Sequence, residues 1–172
     1  MLPEKFKSFI NSYPNFPKEG ILFRDITPLL LDPIIFDELI NHIIQNPIFE
    51  KADAIVGIDA RGFIFGTAIA NKLKKPLVLS RKKDKLHGDL IEKEYGLEYG
   101  KDKLTIQKSS IKNLKRFIIV DDLLATGGTA KCVSDMLVSR NKKILALSVI
   151  IELSFLKGAK NLNFPVYSEV KY

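Results

Sequence analysis

A single cysteine, Cys132, and two histidines, His42 and His87, are all that the chain holds of the residues that most often carry nucleophilic or zinc chemistry. One cysteine excludes an internal disulfide and suits a reducing compartment, so a cytoplasmic location is expected. A catalytic triad or a protein-built zinc site has little to draw on. No apolar run approaches the ~20 residues that a membrane span needs. The N-terminal stretch MLPEKFKSFINSYPNFPKEG is broken by prolines and acids and lacks the apolar centre of a signal peptide. Internal repeats, low-complexity tracts and linkers are absent too. The 172 residues therefore suit one domain, 1–172, large enough to bury a core. Arginine is scarce, with 5 arginines against 22 lysines in a net charge of +7. That charge admits nucleic acid, an anionic membrane or a phosphorylated small molecule as partner. A guanidinium grips phosphate through two parallel bonds as lysine cannot. Arg24, Arg61 and Arg81 all fall in stretches that read as loops.

What is present is an alternation of helical and strand patterns. From Asp32 the pattern is helical. Asp32 can cap, Pro33 suits the first turn, and Phe36, Leu39, Ile40, Ile43 and Ile44 form an apolar stripe before Pro47. His42 lies at its boundary. The segment 54–80 reads as strand (54–58), loop (59–62), helix (63–74) and strand (77–80), a βαβ unit with a right-handed crossover. Residues 81–108 are polar and glycine-punctuated, too long for a simple connection, and read as a mobile hairpin or lid. A third strand follows at 117–121, a helix at 128–140, a fourth strand at 144–153 and a fifth at 165–170. The expected fold is α/β: an open, mostly parallel twisted sheet with helices on both faces, a flexible lid hairpin and an N-terminal hood over 1–33.

The segment IIVDDLLATGGTA, 118–130, is the most informative stretch. In such sheets ligands bind beyond the carboxyl ends of the strands. Asp121 and Asp122 are expected where the third strand ends. Consecutive strand side chains point to opposite faces, so both serve one ligand only where the chain leaves the sheet. Gly127 and Gly128 permit close backbone approach, Thr126 and Thr129 add hydroxyls, and the next helix turns its first N–H groups to the same place. Carboxylates beside a phosphate cradle fit a sugar phosphate, whose ribose hydroxyls donate to the acids. On this reading Gly127→Val blocks the phosphate without unfolding the chain. Other phosphate signatures fail. Residues 57–62 have Walker spacing but Phe63 follows, and there is no G-x-G-x-x-G, H-E-x-x-H or C-x-x-C.

The blocks FPKEGILFRDITPLL, GIDARGFIFG, RKKDKLHGDL, LEYG and VDDLLATGGTA, in this order, resemble the type I phosphoribosyltransferase family, and within it the members that act on adenine. The resemblance covers about residues 16–153. It implies transfer of the 5-phosphoribosyl group from phosphoribosyl pyrophosphate (PRPP) to adenine, giving AMP and pyrophosphate in purine salvage. Mg²⁺ is the implied cofactor, bound mainly through PRPP, and a homodimer the implied assembly, with neither nucleic acid nor membrane as partner. By resemblance Asp121 and Asp122 hold the ribose hydroxyls, and Ala125, Thr126, Gly127, Gly128 and Thr129 the 5′-phosphate. Asp59, Ala60, Arg61 and Gly62 match the pyrophosphate loop, with a non-proline cis peptide at Asp59–Ala60. Arg81, Lys82 and Lys85 match basic positions facing pyrophosphate, some of them from a neighbouring subunit. Leu22, Phe23 and Arg24 match the adenine hood: backbone of Leu22 reads the amino edge, Phe23 stacks and Arg24 touches the far side. Glu98 matches the acid near N7 of adenine, and Tyr99 the residue that helps close the lid. His87 and Glu19 stand where the family often has proline. Alternatives are a phosphoribosyltransferase for another base and a PRPP-sensing regulator. The regulator needs a DNA-binding element for which the residues before Asp32 are too few and too proline-broken.

Overall fold

The computed structural model describes residues 2–97 and 100–172, so that Glu98 and Tyr99 lie outside the described residues. The chain forms two compact units, one ending at Gln45 and the other spanning Asn46–Tyr172. In the first unit, helix α1 (Leu2–Lys7) precedes strands β1 (Asn11–Pro14) and β2 (Leu22–Asp25), followed by helices α2 (Thr27–Leu31) and α3 (Pro33–Ile44). Strands β1 and β2 pair antiparallel, Asn11 opposite Asp25 and Pro14 opposite Leu22. This hairpin was not anticipated, because proline and short polar runs hide its alternation. Helix α3 begins as expected: Asp32 Oδ1 accepts from the amides of Ile34 and Ile35, both at 3.0 Å. Its buried stripe is Ile35, Leu39, Ile40 and Ile43, so Ile35 takes the place expected of Phe36.

The second unit contains β3 (Ala54–Ile58), α4 (Gly62–Leu73), β4 (Leu77–Lys82), β5 (Leu90–Leu97), β6 (Gly100–Gln107), α5 (Lys108–Ile111), β7 (Arg116–Leu124), α6 (Gly128–Val138), β8 (Lys143–Glu152) and β9 (Val166–Lys171). Two 3-10 turns, Ser154–Leu156 and Gly158–Asn161, lie between β8 and β9. The sheet order is β5-β6-β4-β3-β7-β8-β9. The strands β4, β3, β7, β8 and β9 run parallel, and the β5–β6 hairpin adds to β4 antiparallel. The excursion 81–108, expected as a mobile hairpin or lid, is therefore joined to the sheet at its base. Ile91, Leu104 and Ile106 are buried, and the base of the hairpin is part of the sheet. Its inward residues alternate with charges, which masks the apolar face in the sequence.

Helical crossovers join β3 to β4 and β7 to β8, each pair parallel, and the right-handed form is the rule for such units. The chain moves from β3 one way to β4 through α4, and from β7 the other way to β8 through α6. By that rule, crossovers in opposite directions place their helices on opposite faces. The order reverses between β3 and β7, and that switch point is where an open α/β sheet leaves a crevice.

Candidate functional site

The crevice is built by the two chain segments that leave β3 and β7. After Ile58 the loop of Asp59, Ala60 and Arg61 leads into α4, with a cis peptide at Asp59–Ala60 as expected. Gly62 is required by the neighbouring strand. A Cβ there would lie 2.7 Å from the Val120 carbonyl oxygen and 3.1 Å from Asp121 Cα. The helix start is thus packed directly on the strand that carries the acids. Gly62 acts by permitting this approach, a packing role that motif spacing does not reveal.

Strand β7 is longer than its sequence pattern suggests. Its pairing with β3 stops at Val120, whereas pairing with β8 continues through Leu124 opposite Glu152. Asp121 and Asp122 therefore sit inside a strand that has lost one neighbour, rather than where the chain leaves the sheet. That missing neighbour, and not a turn, opens space beside both carboxylates. The Asp122 amide donates to Asp121 Oδ1 at 2.9 Å. Arg61 Nε lies 2.9 Å from Asp122 Oδ2, a charge contact between the two loops. Burial, and next the charge of Asp122, push Asp121 well above the ordinary carboxylate range. Burial also pushes Asp122 up, against the opposing pull of Arg61. Two crowded acids of this kind favour a cation or a hydrogen-bond donor.

Beyond β7, Ala125 and Thr126 lead to Gly127, which adopts φ 84°, ψ 0° just ahead of α6. The first amides of α6 have no partner within the helix and give its start a positive potential. The resulting cleft encloses about 290 Å³ and is lined by Asp59, Arg61, Asp121, Asp122, residues 125–129 and Lys82. Apolar Ile58, Leu147 and Val149 form its floor. That volume suits a small ligand. A wider depression of about 720 Å³ at the other ends of the strands, ringed by lysines, contains none of the expected site residues.

Other expected residues stand apart. Ala60, Gly62, Arg81 and Lys85 are not among the residues lining the cleft. Arg81 reaches it indirectly: its Nε is 3.2 Å from Asp59 Oδ2, and its guanidinium lies 5.8 Å from the Phe63 ring. Lys85 is exposed in the turn after β4. Lys82 pairs with Asp102 at 3.5 Å. In the N-terminal unit, Leu22 and Arg24 point to one face of β2 and Phe23 to the other. Phe23 packs edge-on against Phe16 at 5.1 Å between centroids, and Arg24 Nη1 donates to Ser12 Oγ across the hairpin.

One polar cleft residue was missed. Tyr95 on β5 lines the cleft, its hydroxyl reaching Asp102 Oδ2 at 3.5 Å and the Thr129 side chain. Burial, then the Asp102 charge, push its phenol up to about 12, so it stays a donor at neutral pH. The available signal was an aromatic residue in the alternating stretch leading to LEYG. Among the described residues no group of three His, Cys, Asp or Glu side chains could hold a metal ion, and no helix is long and apolar enough to cross a membrane.

Residues 28–166 match the family model of the phosphoribosyl transferase domain. The chain is 54% identical over 172 residues to an adenine phosphoribosyltransferase of Prochlorococcus marinus strain MIT 9215, covering 100% of both chains. Among solved structures, adenine phosphoribosyltransferase from Thermoanaerobacter pseudethanolicus superposes with a TM-score of 0.93 at 38% identity, over 99% of each chain. The Saccharomyces cerevisiae adenine phosphoribosyltransferase, solved with adenine and an imino-altritol bisphosphate, gives a TM-score of 0.91 at 36% identity, over 98% of each chain.

Proposed function

The chain belongs to the phosphoribosyl transferase family, and from that premise we infer how its residues divide the work of the reaction. It transfers the 5-phosphoribosyl group from PRPP to adenine, forming AMP and pyrophosphate, a purine salvage activity. The observation that carries the assignment of roles is the meeting, in one cleft at the sheet's switch point, of Arg61, the Asp121–Asp122 pair and the loop 125–129.

As the bond from C1 of the ribose to pyrophosphate breaks, positive charge grows on the sugar and negative charge on the departing oxygens. Arg61 and Lys82 are the cleft cations placed to offset the second, with Arg81 and Lys85 acting from outside it. Asp121 and Asp122 accept from the ribose hydroxyls, and their ionised forms favour the cationic sugar in the transition state. The loop 125–129 and the first amides of α6 take the 5′-phosphate. Leu22, Phe23 and Arg24 hold adenine. Glu98 handles or orients the N7 side of the base while N9 attacks, and Tyr99 helps exclude water that would hydrolyse PRPP. The support for this lid role is that β5, which leads to Glu98, brings Tyr95 into the cleft.

Mg²⁺ fits the site as a companion of the substrate. Two adjacent carboxylates, Asp121 half-buried and Asp122 buried, would attract a cation but could not enclose one, so PRPP itself would hold most of the ion. When bound, the ion neutralises charge on the pyrophosphate. A homodimer is supported by the exposure of two neighbouring apolar side chains, Leu31 at 78% and Ile34 at 76%. A cytoplasmic setting fits the free, buried Cys132. The deciding assay supplies PRPP and Mg²⁺ with adenine, hypoxanthine, guanine, xanthine or orotate in turn and measures nucleotide formed. Adenine gives the highest kcat/KM; greater turnover of hypoxanthine or orotate refutes the hood assignment.

A further inference from the structure

The loop 125–129 owes its shape to a segment that no motif marks. The 3-10 turn Gly158–Asn161 packs against it backbone to backbone. A Cβ on Gly158 would overlap the Ala125 carbonyl oxygen and lie 2.9 Å from the Thr126 carbonyl carbon. From the other side, a Cβ on Gly127 would lie 2.7 Å from the Gly158 oxygen. Asn161 completes the contact, its Nδ2 donating to the Thr126 oxygen at 2.9 Å. The loop has no side-chain cap of its own at the start of α6.

We propose that Gly158 and Asn161 are positioning residues for PRPP, acting through the phosphate loop. The reasoning follows from the planarity of the peptide group, in which C=O and N–H point in opposite directions. The carbonyls of Ala125 and Thr126 are both turned toward 158–161. The amides of Thr126 and Gly127, which share those two peptide planes, are therefore turned away from it, as a phosphate in the cleft requires. Without the Asn161 amide the Thr126 carbonyl has water as its alternative partner, and the plane is free to rotate. A larger residue at 158 pushes the same planes toward the cleft. The support is itself anchored. Leu162 is buried in the core, and the Ser154 amide donates to the Tyr172 oxygen at 2.8 Å.

The inference rests on reading 125–129 as the phosphate loop, and the experiment separates the two ideas. Steady-state kinetics of the full chain give KM for PRPP, KM for adenine and kcat. Asn161→Ala should raise KM for PRPP by roughly threefold to tenfold, the net equivalent of one hydrogen bond. Adenine KM, kcat and melting temperature should stay near the parent, and Asn161→Gln should recover part of the loss. Gly158→Ala should raise KM for PRPP more than Asn161→Ala does, because its methyl would overlap the Ala125 carbonyl oxygen. If that variant does not fold, the Asn161 pair decides. Gly128→Val is the control, because residue 128 lines the cleft itself. An unchanged PRPP KM in Gly128→Val overturns the phosphate-loop reading. A raised KM there, with Asn161→Ala indistinguishable from the parent or changed equally for both substrates, overturns the positioning role alone.

Discussion

Replacing the two adjacent glycines one at a time should give opposite results, although the sequence presents them as equivalents. Gly127 has φ 84° and its Cβ direction leads to the Gly158 oxygen at 2.7 Å. Alanine there meets two penalties. The left-handed conformation costs a non-glycine residue ~1–2 kcal/mol, and forcing a methyl against fixed backbone costs ~1–3 kcal/mol. The sum is about 2–5 kcal/mol. For a chain of this size each kcal/mol shifts the melting temperature by ~2–4 °C, so Gly127→Ala should melt roughly 4–20 °C lower. The expectation that Gly127→Val blocks phosphate without unfolding is thereby corrected, since the side chain is aimed at the 158–161 turn. Gly128 differs. Its Cβ would come no closer than 3.7 Å to the Gly96 oxygen, an ordinary contact, and its φ is not positive. Gly128→Ala should hold or gain stability, by ~0.4–1 kcal/mol from the stiffer unfolded chain, while its methyl crowds the cleft. Calorimetric melting paired with PRPP titration measures both quantities. Gly127→Ala melting within about 2 °C of the parent, or Gly128→Ala binding PRPP as tightly as the parent, refutes the reasoning.

Three further outcomes follow from the same geometry. Asp121 has a raised folded pKa, so its ionised form opposes folding, and stability rises as pH falls through that value toward the unfolded one near 3.8. Asp121→Asn should accordingly melt no lower than the parent at pH 7 yet bind PRPP more weakly; a lower melting temperature with unchanged binding contradicts this. Asp53 has the opposite sign. Its hydrogen bond from Arg116, the largest cause, lowers it to about 2, so its contribution is complete above the unfolded value of 3.8 and disappears as pH falls toward 2. Melting temperatures of Asp53→Asn and parent should differ at pH 7 and converge below pH 3.8, and a gap that persists at pH 2 speaks against the ion pair. Finally, Glu98→Ala should lose at least about a hundredfold in single-turnover rate if Glu98 takes part in proton transfer. Recovery in Glu98→Gln assigns it to orienting adenine, and a rate within a few-fold of the parent in Glu98→Ala removes it from the mechanism.

The candidate site was legible wherever chemistry requires a residue type in one short segment. Arg61, the aspartate pair and residues 125–129 all line the cleft, and Asp59 joins them. Legibility failed where a role depends on contacts between distant segments. Arg81 touches Asp59 without lining the cleft and Lys85 lies outside it, distinctions that a run of basic residues cannot carry. Tyr95 was hidden among the polar residues of 81–108, because its place depends on β6 bringing Asp102 beside it.

Local pattern by itself determined the strand-and-helix alternation, the Asp32 cap, the cleft at the strand ends and the family. The first three follow from periodicity, capping or motif chemistry in short consecutive stretches, and the family from five such blocks in order along the chain. Tertiary structure alone decided that β7 runs on to Leu124 beyond its partner β3, that the lid's base joins the sheet, and that Gly62, Gly127 and Gly158 are held by close approach to other segments. A glycine's sequence neighbours say only that its backbone is permissive. What fills the space where its Cβ would stand is set by chain segments tens of residues away, and in this fold that space is occupied by backbone.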